Sequence, residues 1–89
     1  MTCYLVSYDL IKNKDYTRLQ AAITSFPWMK ILLSQWIILS DLDIVTLRDH
    51  LSSYMDSDDK LFIVQLPKGS IAAWVNLPTE DSQWLLNNL

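Results

Sequence analysis

Residues 3–9 read CYLVSYD, a run that is apolar, β-branched or aromatic on both faces until it meets an acid at Asp9. A strand whose alternate residues are apolar in both directions has to be covered on both sides, so it belongs in the middle of a sheet. That requirement sets the plan of the whole chain, because 89 residues hold one core and leave no room for a linker and a second domain. Residues 1–89 therefore read as a single domain.

The segments that follow supply the covering elements. Asn13 offers a cap, and Tyr16, Leu19, Ala22, Ile23 and Phe26 recur at helical spacing, leaving Lys14, Arg18 and Gln20 to water until Pro27 stops the helix. Residues 30–40, KILLSQWIILS, are too apolar for a loop and too rich in Ile and Trp to favour a helix. One long strand or two short ones would fit; the order of the remaining elements favours a pair bent at Ser34-Gln35. Ser40 and Asp41 offer the next N-cap, with Ser40 and Asp43 spaced as in a capping box. Ile44, Leu47, Leu51 and Met55 then form one stripe of a second helix over 42–55. LFIVQL at 61–66 reads as a fully buried strand, and Pro67-Lys68-Gly69 as a turn. IAAWVNL at 71–77 reads as its hairpin partner, followed by a short helix that opens at Pro78-Thr79. The order is that of a ferredoxin-like split βαβ sandwich, an α+β fold, with a C-terminal extension over 70–89.

Two helices on one sheet face would leave the other bare. Composition points the same way: 51% of residues are hydrophobic, with four Trp, four Tyr and one Gly. A domain this small buries only roughly 60 to 65% of its unfolded surface, so an isologous homodimer is the simplest place for the excess. The lone cysteine, Cys3, excludes an intrachain disulfide and reads as a small buried hydrophobe. No run reaches the roughly 18 apolar residues of a membrane helix, and no signal-peptide pattern opens the chain, so a cytoplasmic protein is expected.

Net charge is −3, which argues against tight non-specific binding to long duplexes. The charge is segregated: residues 1–30 carry a balance of +2, the remainder −5. Asp9 thus stands where a buried strand leaves the sheet, with Lys12 and Lys14 just beyond. A carboxylate there suits Mg²⁺ or Mn²⁺, which take oxygen ligands and share them with substrate phosphates. One carboxylate is too few, and only a two-fold axis near the strand end brings a second. On spacing alone, an Asp that opens the turn through its side chain is the simpler reading. Asp56, Asp58 and Asp59 begin like a calcium loop, but Lys60 occupies a ligand position and the loop's Gly and closing Glu are absent, which leaves a solvated turn. His50 has no second His or Cys with which to share a metal, and a single Gly excludes phosphate-cradling loops. The tryptophans read as core or interface anchors before base-stacking platforms.

The opening YLVSYDL, Ser34-Gln35-Trp36 where a Ser-x-aromatic is usual, and DSDDKLFIVQL before a short hairpin together resemble the CRISPR-associated Cas-two family and its VapD relatives. Ala72-Ala73-Trp74 and the terminal Ser82-Gln83-Trp84-Leu85 are similar to the small SinR-like proteins of that group. The resemblance spans nearly the whole chain. It implies a ferredoxin-like homodimer with sheets face to face and the C-terminal strand reaching the partner. It further implies that Asp9 is the metal-binding residue for phosphodiester cleavage of RNA or DNA, with Ser34 near the same site. In that reading Lys12, Lys14 and Arg18 position the nucleic-acid backbone, although family members carry an Arg-rich turn where this chain has Leu10-Ile11-Lys12-Asn13-Lys14. Some members of the family are non-catalytic dimeric scaffolds. The alternative for this chain is accordingly an interaction module of a toxin–antitoxin or defence cassette that recruits a protein partner by its sheet edge or its 79–89 tail.

Overall fold

The computed structural model describes residues 1–10 and 17–89. β1 (Thr2–Asp9) leads to α1 (Thr17–Ile23), β2 (Trp28–Leu32), β3 (Gln35–Ser40), α2 (Ile44–Ser52), β4 (Lys60–Leu66) and α3 (Thr79–Asn88). The four strands form one antiparallel sheet in the order β2-β3-β1-β4. That is the α+β, ferredoxin-like arrangement expected, with β1 flanked on both sides. The apolar run 30–40 is two strands, reversing at Leu33-Ser34. The expected cap at Asn13 and the stripe residue Tyr16 lie outside the described residues.

Alternation along β1 sends its side chains to opposite faces. Tyr4, Val6 and Tyr8, joined by Trp36 and Ile38, meet Leu19, Ala22 and Ile23 of α1 and Leu47 and Leu51 of α2. The polar tips inside this layer are satisfied: Trp36 Nε1 donates to Tyr8 Oη at 3.2 Å, and Tyr4 Oη donates to the Leu42 carbonyl at 2.8 Å. α1 ends at Ile23, short of Phe26. The Thr24 hydroxyl donates to the Gln20 carbonyl at 2.9 Å and the Ser25 hydroxyl to the Ala22 carbonyl at 2.6 Å, closing the last turn before Pro27.

The N-cap of α2 is Asp43, not Ser40: Asp43 Oδ1 accepts from the Thr46 amide at 2.8 Å, while Ser40 Oγ accepts from the Leu42 amide at 3.0 Å. Two residues of the same capping chemistry stand three apart, and the inner one takes the helix. The hydrogen bonds from Thr46 hold the Asp43 carboxyl below its ordinary range. A folded-state value below the unfolded one makes this contribution full above the unfolded pKa and lost as pH falls through the folded one. The stability gap between the wild type and Asp43→Ala, read from urea midpoints, is therefore expected to be open at neutral pH and to close under acid. A gap independent of pH would show that the carboxylate is not the cap.

The second sheet face departs from expectation. Residues 71–77 form no strand. After the Pro67 turn, where Gly69 takes φ +86° and the Ser70 amide donates to the Pro67 carbonyl at 3.0 Å, the chain leaves the β4 edge and crosses the face instead. Trp74 and Leu77, with Trp84 and Leu85 of the terminal helix and Leu89 at its C-cap, pack on Cys3, Leu5, Met29, Ile31, Ile37, Leu39 and Leu66. Trp74 Nε1 donates to Ser82 Oγ at 3.0 Å, tying this strap to α3. Covering a broad apolar face removes more surface from water than adding one rung of ladder, so the strap takes the face. The face expected to be bare is partly covered by the chain's own C-terminus. As a consequence β4 is an edge strand, none of its residues is buried, and Phe62 is 65% exposed.

Cys3 is buried beneath this layer, and desolvation pushes its thiol up. It is expected to resist alkylation in native protein and to react on unfolding, which thiol titration with and without urea would read. Fast labelling of native protein would mean that the strap opens readily. Among the described residues, no helix is long and apolar enough to cross a membrane.

Candidate functional site

The strap and α3 cover only part of the second face. β1 presents Cys3, Leu5, Ser7 and Asp9 there in succession; Cys3 and Leu5 lie under the C-terminal segment, and Ser7 and Asp9 do not. The uncovered end is a shallow depression of about 460 Å³ whose lining includes Ser7, Asp9, Ser34, Gln35, Lys60 and Phe62.

Strand register builds it. Ser7 pairs with Gln35 on one side and Phe62 on the other, and Asp9 pairs with Lys60. The Tyr8 amide donates to the Ser34 carbonyl at 3.2 Å, which holds the β2–β3 turn against the end of β1. Asp9 and Ser34 thus line one concavity although 25 residues separate them in sequence. Asp9 is exposed, Ser34 and Gln35 half-buried. The donor set is oxygen-rich: one carboxylate, two hydroxyls and one side-chain amide, beside the Lys60 ammonium.

The other residues singled out in the sequence fall elsewhere. Lys12 and Lys14 lie outside the described residues. Arg18 stands on α1 with its guanidinium 5.8 Å from the Tyr54 ring centroid, and it does not line the depression. His50 is held edge-to-face between Phe26 at 6.0 Å and Tyr54 at 5.6 Å, a packing role. Trp36 is core, Trp74 and Trp84 pack on the second face, and Trp28, 46% exposed, meets Trp36 at 5.3 Å. The carboxylates of Asp56, Asp58 and Asp59 converge to within 4.8 Å, and Asp59 accepts from the Asp56 amide at 2.9 Å. This exposed acidic turn closes on itself and delivers the chain to Lys60, so it adds negative charge near the depression.

Lys60, Phe62, Gln35 and Ser7 were not singled out by sequence. For Lys60, Phe62 and Ser7 the signal was the antiparallel register of KLFIVQL against CYLVSYD, and for Gln35 it was the register of QWIILS against CYLVSYD; each puts every second residue on the Asp9 face.

No protein-family model matches the chain, and no solved structure matches it closely.

Proposed function

We propose that this chain is a Cas-two-like homodimeric protein of a nucleic-acid-processing or defence system, cytoplasmic, that cleaves RNA or DNA phosphodiesters with the help of Mg²⁺ or Mn²⁺. The observation that carries this reading is the meeting of Asp9 and Ser34 in one open depression at the uncovered end of the sheet. Oxygen donors suit a hard cation, but one carboxylate per chain falls short of a site. A second copy related by a two-fold axis near the end of β1 contributes its own Asp9 and completes it. Two carboxylates at close range repel, and a cation between them relieves that repulsion. The ion supplies Lewis acidity toward the phosphodiester. Within the chain, Asp9 would hold the ion, Lys60 would neutralise phosphate charge, and the Ser34 hydroxyl and Gln35 amide would orient the backbone by hydrogen bonds.

The test couples assembly to chemistry. Mass in solution and cleavage of RNA and DNA, each with and without Mg²⁺, are measured on one preparation. A dimer with Mg²⁺-dependent cleavage supports the reading, and a monomer, or cleavage indifferent to the ion, counts against it.

A second reading, a non-catalytic dimeric scaffold that recruits a protein, is favoured by the outer side of the C-terminal segment. Ile71, Val75 and Leu86 are 100%, 80% and 68% exposed. It predicts a partner lost on Val75→Asp with the dimer intact.

A further inference from the structure

The strap and the sheet do not close completely on one another. Between them lies a cavity of about 210 Å³, lined by Leu5, Ile31 and Ile37 of the sheet and by Ala73, Trp74 and Leu77 of the strap. Among the described residues no charged side chain lines it. Its two polar side chains are Ser70, whose hydroxyl already donates to the Pro67 carbonyl, and the half-buried Gln35. Gln35 also lines the Asp9 depression, so it stands where the apolar cavity meets the polar end of the sheet. Among the described residues no backbone hydrogen bond ties 71–77 to the strands. Side-chain contacts hold the strap down, the Trp74 to Ser82 hydrogen bond among them, and it can lift to admit a molecule without breaking a ladder.

These features narrow the occupant. Water fills such a space poorly, because it needs two to four polar partners and only the Gln35 amide is on offer. A charged molecule would be buried with no counter-charge. Apolar cavities of about 150 Å³ hold benzene, so this one takes a single fused pair of rings and little more. The Trp74 ring in the wall favours an aromatic over an aliphatic molecule, through stacked or edge-to-face contact.

We propose that the space beneath the strap is a binding site for an uncharged, compact aromatic molecule, one fused ring pair with a single hydrogen-bonding group that meets the Gln35 amide. The site requires neither Asp9, nor an ion, nor a second copy of the chain, and so stands apart from the proposed phosphodiester chemistry. Filling it restores dispersion contacts that its walls otherwise lack and fastens the strap to the sheet.

Indole is the probe, titrated calorimetrically into the whole chain. One indole per chain is expected, with a dissociation constant below about 1 mM. Naphthalene-2-sulfonate, of similar ring size but charged, is expected to bind at least about tenfold more weakly. Gln35→Leu should weaken indole about fivefold, the loss of one hydrogen bond. Leu5→Phe, which puts a ring into the space, should abolish binding. Wild-type protein gives a readout that no folding defect can obscure: nuclear Overhauser contacts from the indole ring should reach the Leu5, Ile37 and Leu77 methyls. Contacts confined to the exposed Ile71 and Val75 would overturn the inference, and so would equal binding of the sulfonate or no saturable binding below about 10 mM. Asp9→Asn should bind indole as the wild type does, and loss of binding there would contradict the separateness of the two sites. Indole held beneath the strap by protein that cleaves no strand would uphold this inference and defeat only the phosphodiester reading.

Discussion

Asp9→Asn is expected to lower the proposed ion-dependent phosphodiester cleavage by more than about a hundredfold while leaving the fold and the proposed dimer in place. The substitution keeps size and shape and removes one negative charge per chain. Because Asp9 is exposed at the end of β1, with Lys60 as its cross-strand neighbour, no buried contact depends on its charge. Stability should therefore barely move, and a change in melting temperature of the size seen for core substitutions would point to a structural role instead. In the proposed dimer the paired carboxylates would make the effect steep, since both halves of the shared site would lose charge together. An equally active Asp9→Asn would remove the depression from consideration as a catalytic site.

Deletion of residues 79–89 is expected to have the largest effect on stability. It removes Leu85, 3% exposed, together with Trp84 and Leu89, and uncovers Cys3, Met29 and Ile37 on the second sheet face. Truncating a single buried Leu costs about 2–5 kcal/mol, against a total of about 5–15 kcal/mol for a domain of this kind. The shortened chain should lose its cooperative urea transition or aggregate, and Leu85→Ala should show a graded version of the same loss. A shortened chain that unfolds cooperatively at the wild-type midpoint would contradict the intramolecular docking of the strap. The deletion also bears on assembly. A face already covered by Trp74, Leu77 and Leu85 has only its open end to offer a face-to-face partner, which is where Asp9 lies.

Legibility in the sequence followed burial pattern. β1 was readable because CYLVSYD is largely apolar on both faces; the strand is buried on its helix-covered face and covered on the other only at Cys3 and Leu5. That the run over 30–40 is broken near Ser34 was readable from polar residues interrupting it, although the reversal falls at Leu33-Ser34, one residue before the expected Ser34-Gln35. IAAWVNL was misread for the same reason that made the others legible: apolar and β-branched residues report a half-buried surface, not a ladder partner. Trp74 and Leu77 satisfy that preference by covering a sheet face. The error carried over to LFIVQL, which has no strand on its outer side and leaves Phe62 in the open. Asp9 stood out as the acid that ends an apolar run, but its metal-binding role, and any role for Ser34, came only from the family resemblance. Lys60 and Phe62 did not stand out, because their relation to Asp9 exists only through the pairing of β1 with β4.

The account stands on two chains sharing one ion at Asp9, and stoichiometry tests that most directly. Mn²⁺ titrated into purified protein and followed by electron paramagnetic resonance should saturate at one tightly held ion per two chains, with the signal of that ion lost in Asp9→Asn. Saturation at one ion per chain, or tight binding retained in Asp9→Asn, would contradict it.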